Sequence, residues 1–501
     1  MKLLHEILKQ TPYESVSGNC EQKVLDITAD SRQVKEGSLF ICLDGAHVDG
    51  HAYAEKAAKA GASVIVAEKP VQVSGKTAVV YVKDTRRAME DITPYFFDYP
   101  ARKMRMIAVT GTNGKTTTTH IIAHILKHAG YKTGVIGTIH MLIGDTEYPT
   151  HNTTPDVVDL EKMLYQMEQE GVTHVCMEVS SHALVMGRVE GIEFDNASFT
   201  NLTEDHLDYH KTMDNYAKAK AILFHKVSMT GQTKPNKSAH INIDVPYADV
   251  MEQAVDHQDV CPIYTYSVDQ PSDLQARNIR FNASSSEFGI HTKNGNFDVE
   301  THLVGRFNVY NVLCAISACL GEGIPMETIL EALKDFHAVP GRFELINEGQ
   351  SFTVVVDYAH TPDGLENILK TAEEIKRGRI ITVFGCGGDR DKMKRPIMGR
   401  IGASYSDVVI VTSDNPRTED PDVIVAEVAA GVKEIADKKP SLSYEILVNR
   451  REAIRRAIAI AKPGDIVIIA GKGHENYQIL KDKTIHFDDR EEARAALKGE
   501  Q

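Results

Sequence analysis

Apolar residues along this chain alternate between two rhythms. Short unbroken runs read as buried strands, and longer stretches with apolar positions three and four apart read as helices packed on them. In the first hundred residues the runs at 38–43 and 63–67 bracket a helical stretch at 52–60. The opening MKLLHEILKQ reads as an amphipathic helix, with Glu6 and Lys9 inside its apolar pattern. Between 101 and 336, strands at 106–109, 133–137, 174–179 and 196–199 alternate with helices that include 117–128 and 157–170. The polar stretch 229–242 reads as a loop. From 274 to 304 the period shortens towards two, with a turn at Asn294-Gly295-Asn296, and this predicts antiparallel strands added to one edge. Residues 309–320 return to helix. Beyond 337, strands at 352–356, 380–384, 408–412, 444–448 and 466–470 are separated by helices at 365–375, 396–404, 423–435 and 451–461.

This alternation predicts an α/β protein with mostly parallel sheets. With 501 residues and roughly 100–200 residues per domain, about three domains are expected. Residues 1–98 form a small N-terminal α/β domain. Residues 99–336 form a central mononucleotide-binding parallel sheet with added antiparallel strands. Residues 337–501 form a Rossmann-like, doubly wound domain. The first boundary falls at Tyr99-Pro100-Ala101-Arg102-Lys103, where proline and a basic cluster precede a new strand. In doubly wound sheets ligands bind beyond the carboxyl ends of the strands. The polar runs 357–360, 385–390, 414–417 and 471–475 each follow a strand, so they are expected to meet at one crevice.

Composition narrows the function classes. A hydrophobic fraction of 42% with 25% charged residues is that of a soluble globular protein. A net charge of -14 leaves no basic excess for nucleic acid. No run approaches the roughly 18 apolar residues of a membrane span, and the N-terminus does not read as a signal peptide. Seven scattered cysteines, an odd number without a C-x-x-C pair, predict free thiols in a reducing compartment. A cytoplasmic monomer is the expectation.

The chemistry is concentrated in a few runs. Gly111-Thr112-Asn113-Gly114-Lys115-Thr116-Thr117 follows the apolar run 106–109 and leads into a helix. Its glycines let backbone N–H groups approach phosphates, and the helix N-terminus favours negative charge. Lys115 reaches the terminal phosphates and Thr116 offers its hydroxyl to Mg²⁺. Val109 stands where the common loop pattern has its first glycine. Glu178 ends a strand of the same domain, placed either to hold Mg²⁺ or simply to cap that strand. His206, in a run dense in histidine and carboxylates, is a candidate second metal ligand with Glu178. On their own, Lys218 and Lys220 read as one solvated helix face. Asn308 and Asn311 share a face at a helix start, where an amide reads an adenine edge or caps the helix. Arg342 lies at a domain junction, suited to a phosphate or to a surface ion pair. The runs 389–392, 414–417 and 473–475 mix both charge signs, which suits a zwitterionic amino acid.

The ordered runs GTNGKTTT, NTTPD, EVSSHAL, FTNLTEDHLDYH, YAKAK, GRFNVYN, PGRFE, DYAHTPD, GCGGDRDKMKRP, SDNPRTEDP and GKGHE span nearly the whole chain. Together they resemble the Mur ligases, and most closely the type that adds the third peptide residue to UDP-N-acetylmuramoyl-L-alanyl-D-glutamate. The resemblance implies ATP-dependent amide ligation through an acyl phosphate in peptidoglycan precursor synthesis, with ATP and Mg²⁺ required. It implies that Gly111, Thr112, Asn113, Gly114, Lys115, Thr116 and Thr117 hold ATP, with Asn311 at the adenine, Arg342 at a phosphate, and Asp357 and His360 in the nucleotide site. Thr116, Glu178 and His206 become metal ligands. Lys220 looks like the family's carbamylated lysine (N6-carboxylysine), an anion that supports the second Mg²⁺. Ser31, Thr153, Thr154, Ser180 and Arg188 match positions that hold the UDP-sugar peptide. Asp414, Asn415, Pro416 and Arg417 are similar to the motif of enzymes that add meso-diaminopimelate, with Arg417 on the distal carboxylate, helped by Arg390, Gly471 and Glu475.

One position departs from the pattern: Met186 stands where some members have glutamine, two residues before the arginine equivalent to Arg188. A lysine-adding ligase is the nearest alternative and a folylpolyglutamate synthetase-like ligase is further off. A lysine-adding enzyme has no distal carboxylate for Arg417 to hold.

Overall fold

The computed structural model describes residues 1–45, 48–150, 152–282 and 284–499. Three sheets organise the chain. The first has five strands in the order Ser15–Ser17, Ala78–Tyr81, Val64–Ala67, Ser38–Ile41, Asp26–Thr28, parallel except for the edge strand Ser15–Ser17. The second has eleven strands, and Arg105–Thr110 lies near its middle between His174–Glu178 and Asn196–Phe199. Its seven strands from Thr133–Ile136 across to Leu274–Phe281 are parallel, and hairpins extend both edges.

The unbroken apolar runs are explained by burial on both faces. Along Arg105–Thr110, Met106 and Ala108 enter one core with Leu160, Leu164, Leu223 and Phe224, whereas Ile107 and Val109 enter the opposite core with Ile121, Ile125, Val312 and Ile316. Helices Val157–Gln169 and Met213–Ser228 thus cover one face, and Lys115–His128 and Arg306–Gly321 the other.

The third sheet runs Glu344–Leu345, Thr353–Asp357, Ile466–Ala470, Ile380–Phe384, Val408–Val411, Ser443–Ile446, and all its pairs are parallel apart from the first. Three successive crossovers run in one direction across the sheet, and their helices Pro362–Ile375, Lys394–Tyr405 and Pro421–Ala436 share one core. The last crossover returns, so Arg450–Ile460 packs on the opposite face with Asp489–Lys498. This is what right-handed connections require.

Several sequence expectations are corrected. Residues 238–242, read as part of a loop, form the buried strand Ser238–Asn242. Its polar side chains are satisfied inside the domain: a ring nitrogen of His240 lies 2.7 Å from Ser317 Oγ, and Asn242 donates to the Thr200 carbonyl at 2.9 Å. The opening helix spans only Leu4–Ile7, because Lys2–Leu3 pairs as a strand with Lys23–Val24. Ile263–Ser267, the hairpin Tyr477–Leu480 with Lys483–His486, and Asp489–Lys498 were not predicted. All seven cysteines are free thiols. No helix among the described residues is long and apolar enough to cross a membrane.

The C-terminal domain contains a fully buried ion pair. Arg450 donates from Nε and Nη2 to both carboxylate oxygens of Asp489 at 2.7 Å, and from Nη2 to the Ala470 carbonyl at 2.9 Å. Removing one partner strands the other charge in the interior, which costs about 3–5 kcal/mol. Asp489→Ala is therefore expected to lower the denaturant midpoint of this domain markedly, as followed by urea unfolding; an unchanged midpoint would refute the assignment.

Candidate active site

The central strand Arg105–Thr110 empties into the turn 111–114 and the helix Lys115–His128. Gly114 has φ 86°, and a Cβ there would lie 2.3 Å from Asn311 Oδ1, so both the backbone conformation and the space favour glycine. The next strand end holds the turn: Asn113 N donates to Asn201 Oδ1 at 2.9 Å, Thr112 N to the Asn201 carbonyl at 2.9 Å, and Thr200 Oγ1 to the Asn113 carbonyl at 2.6 Å. Lys115 Nζ donates to the carbonyls of Gly111 and Thr112 at 2.9 and 2.8 Å. Lys220 Nζ donates to the same Gly111 oxygen at 2.8 Å. Burial lowers the Lys115 amine. The Lys220 amine is pushed well below its ordinary value, first by burial and then by the positive charge of Lys115. Lys218 is exposed, so the pair does not form a single solvated face.

Glu178 is 1% exposed at the end of its strand. It accepts from Thr116 Oγ1 at 3.0 Å, Thr138 N at 2.8 Å and Thr138 Oγ1 at 3.1 Å. Its carboxylate therefore lies beside the loop hydroxyl, an all-oxygen pair of the kind Mg²⁺ favours. His206 sits in a left-handed backbone position (φ 55°), with its ring 3.4 Å from Asp205 and 4.9 Å from the His182 ring. Burial lowers this imidazole. Among the described residues no three His, Cys, Asp or Glu side chains gather as a metal cluster. The positive charges of Lys115 and Lys220 also lie near enough to His206 to disfavour its protonation.

Next to Glu178 a second group is drawn together. Thr154 Oγ1 donates to the Glu178 carbonyl at 2.9 Å and accepts from Ser180 N at 3.0 Å. Arg188 Nη1 donates to the Thr154 carbonyl at 3.0 Å, and Thr153 Oγ1 lies 3.1 Å from Thr138 Oγ1. Arg188 Nη2 also lies 3.6 Å from the Met186 sulfur. Ser31 lies in the turn after Asp26–Thr28 of the first sheet, outside this group.

The C-terminal domain closes the other side. Arg342 stacks 4.5 Å over the Tyr358 ring and donates from Nη2 to Thr116 Oγ1 at 3.3 Å, so it faces the loop and is not a surface ion pair. Asp357 accepts from Phe343 N at 2.6 Å and Ala359 N at 2.7 Å, and burial raises its carboxyl above the usual range. His360 Nδ1 lies 2.9 Å from the Tyr358 carbonyl. Asn311 is 4% exposed and donates to Asn308 Oδ1 at 3.0 Å. Its helix starts at Arg306 behind Gly305, so neither asparagine is the cap. Residues 112–117, Glu178, His206, Asn311, Arg342, Asp357 and His360 all line one cleft of about 570 Å³.

Three further loops meet at adjacent strand ends of the third sheet. Gly388 N donates to the Asn415 carbonyl at 2.9 Å, and Arg417 Nη1 donates to the Gly388 carbonyl at 2.9 Å. Asn415 Nδ2 and Lys472 Nζ both donate to Glu475 Oε2, at 2.8 and 2.9 Å. Arg417 has φ 53°, an uncommon conformation for a side-chain-bearing residue, held by its N–H to the Ile479 carbonyl at 3.1 Å. A Cβ on Gly471 would lie 2.7 Å from Asp414 Oδ2. Arg390 Nη1 donates to the neighbouring Asp389 carbonyl at 3.0 Å, and the residue stays exposed.

Family models match three segments: "Mur ligase family, catalytic domain" over residues 23–96, "Mur ligase middle domain" over 109–319, and "Mur ligase, glutamate ligase domain" over 341–473. A curated relative from Geobacillus kaustophilus, named UDP-N-acetylmuramoyl-L-alanyl-D-glutamate--2,6-diaminopimelate ligase, is 49% identical over 99% of each chain. The chain belongs to the Mur ligase family. A solved structure bearing that same ligase name is 34% identical, covers 99% of each chain and has a TM-score of 0.70. The MurF ligase of Thermotoga maritima, solved with ADP, shares the fold at 17% identity and TM-score 0.63, over 90% of this chain and 94% of its own.

Within this Mur ligase, sequence reasoning missed several residues that organise the site. Thr138 lies in a loop with no motif of its own, and Asn201 lies inside the run FTNLTEDHLDYH without being singled out there, yet they hold Glu178 and the loop 111–114. Lys472, fully buried, and Arg395, whose guanidinium donates to Glu419 at 2.9 and 3.1 Å, tie the C-terminal loops together. Both lie inside quoted runs, GKGHE and GCGGDRDKMKRP, and only their burial separates them from solvated charges.

Proposed function

We propose that this protein is an ATP-dependent ligase that joins meso-2,6-diaminopimelate to the D-glutamate of UDP-N-acetylmuramoyl-L-alanyl-D-glutamate. The name shared by its close relatives supports the reading. The observation that carries it furthest is the adjacency of two sites. Tyr358, which lies under Arg342 in the cleft of the phosphate loop, packs its ring 4.9 Å from that of His474, next to Glu475, so the loop's cleft and the strand-end loops carrying Arg417 and Glu475 are neighbours.

In this proposal residues 1–98 hold the UDP end with Ser31, 99–336 hold ATP, and 337–501 hold the incoming amino acid. The loop N–H groups and Lys115 grip the β- and γ-phosphates, Asn311 meets the adenine, and Asp357 and His360 flank the nucleotide. Arg342, already on Thr116, is in reach of a transferring phosphoryl group. Thr153, Thr154, Ser180 and Arg188 present the glutamate side chain next to Glu178. An oxygen of that carboxylate attacks the γ-phosphorus and ADP leaves, giving an acyl phosphate. The amine of diaminopimelate then attacks the acyl carbon, the C–N bond forms as the C–O bond to phosphate breaks, and the amine loses a proton. Arg417 and Arg390 hold the distal carboxylate, and Glu475, with Asp414 and Asn415, holds the distal ammonium.

Mg²⁺, when bound, neutralises the charge that develops on the phosphoryl oxygens. Thr116 and Glu178 fit one ion. Glu178 and His206 fit a second only if Lys220 carries a carbamate, because an ammonium cannot ligate a cation. The lowered Lys220 amine is the form that adds CO₂: the N–C bond forms, a proton is released, and the side chain becomes anionic. The same change removes the repulsion between two ammonium groups sharing the Gly111 carbonyl.

The test is phosphate release with UDP-N-acetylmuramoyl-L-Ala-D-Glu and ATP, offering diaminopimelate and L-lysine separately. Release with diaminopimelate and not with lysine is expected. Release with neither would end the proposal, and release with lysine alone would end the specificity claim. The protein is further proposed to act as a cytoplasmic monomer, which light scattering of the native chain checks.

A further inference from the structure

Asp363 belongs to the C-terminal domain, yet it touches the phosphate loop of the central one. Its Oδ2 accepts from Asn113 Nδ2 at 2.6 Å, from Thr203 Oγ1 at 3.1 Å and from Asn367 Nδ2 at 3.1 Å. A carboxylate at the second position of a helix ordinarily serves its own helix N-terminus. Here that task falls to Thr361, the N-cap, whose hydroxyl accepts from Gly364 N at 3.1 Å. Asp363 is left to serve the other domain.

Its partner is the hinge of the loop. Both backbone groups of Asn113 are held from within the central domain, the N–H by Asn201 and the carbonyl by Thr200 and Asn201. Its side-chain amide donates at 2.6 Å to Asp363 of the C-terminal domain, and at a longer 3.4 Å to Thr203 Oγ1 of the central one. Asn113 is followed by left-handed Gly114 and then by Lys115 at the helix start. The direction of the Asn113 side chain therefore constrains the turn that aims the loop N–H groups and Lys115. Thr203, the second partner, donates its N–H to Thr112 Oγ1 at 3.0 Å, so Asp363 reaches the loop by two routes.

We infer that Asp363 is a positioning residue that sets the phosphate loop from across the domain boundary, so that nucleotide affinity depends on the docked C-terminal domain. The inference deepens the nucleotide half of the proposed function and rests on it.

Binding of ADP with Mg²⁺ to the native chain, Asp363→Ala and Asp363→Asn is measured by titration calorimetry, alongside KM for ATP and for diaminopimelate and the melting temperature. Asp363→Ala is expected to weaken ADP about tenfold, equivalent to about 1.4 kcal/mol, and to raise KM for ATP in parallel. Its melting temperature and KM for diaminopimelate should stay at native values. Asp363→Asn keeps an acceptor oxygen and is expected to recover most of the loss. Native ADP affinity in Asp363→Ala overturns the inference. Equal losses for both substrates, or a fall in melting temperature matching the loss of affinity, also overturn it by making the role merely structural. ADP titration needs no turnover, so it decides the point even if the native chain fails to ligate diaminopimelate.

Discussion

Lys220→Ala is expected to lower ligation by about three orders of magnitude while leaving ADP binding largely intact. The magnitude is that of removing one preorganised charge aimed at a transferring group, about 10²–10³ or somewhat more. Lys220 is 1% exposed, and its Nζ meets the same carbonyl oxygen that Lys115 uses. An ammonium at that point would add positive charge beside Lys115; a carbamate would balance it and, in the proposed mechanism, join Glu178 and His206 in holding the second cation. The alanine variant removes the side chain that would carry the carboxylate, so acetate or propionate added at high concentration should restore part of the rate. Full activity in Lys220→Ala would overturn the carbamate. A lost rate that no short carboxylate restores would leave the lysine acting as an amine.

Arg417→Ala is expected to raise KM for diaminopimelate about 30- to 150-fold, the effect of losing a charge-assisted contact of roughly 2–3 kcal/mol. KM for ATP should be unchanged, because Arg417 lies on the loop 414–417 and not among the residues of the nucleotide cleft. The unusual backbone of Arg417 aims its guanidinium at the Gly388 carbonyl, bringing the two loops together at adjacent strand ends. Loss of the side chain should therefore also weaken discrimination against lysine, which lacks the distal carboxylate. Native KM in steady-state phosphate release would mean that Arg417 does not face the substrate.

Much of the fold was legible because the buried strands of parallel sheets are apolar on both faces. Residues 196–199, 380–384 and 466–470 were read with the same bounds that the structure has. Ser238–Asn242 failed this test for a physical reason: its Ser, His and Asn side chains are buried, and partners distant in sequence satisfy them. The hairpin after Glu475 escaped notice because its strands are short and mostly solvent-facing.

The sequence by itself determined the chemistry available: a phosphate loop, carboxylates and basic residues directly after strands, and an order of motifs that pointed to one family. It did so because backbone turns and strand ends demand particular residues locally. Only the tertiary structure decided which of two neighbouring lysines matters. Lys218 and Lys220, two positions apart on a helix, point about 200° apart, and it is the packing of the second sheet that buries one and leaves the other in water. It also decided that Arg342 and Asp363, both from the C-terminal domain, serve the loop of the central one. Contacts between residues 226 and 250 positions apart are set by how whole domains pack, and no local pattern encodes that.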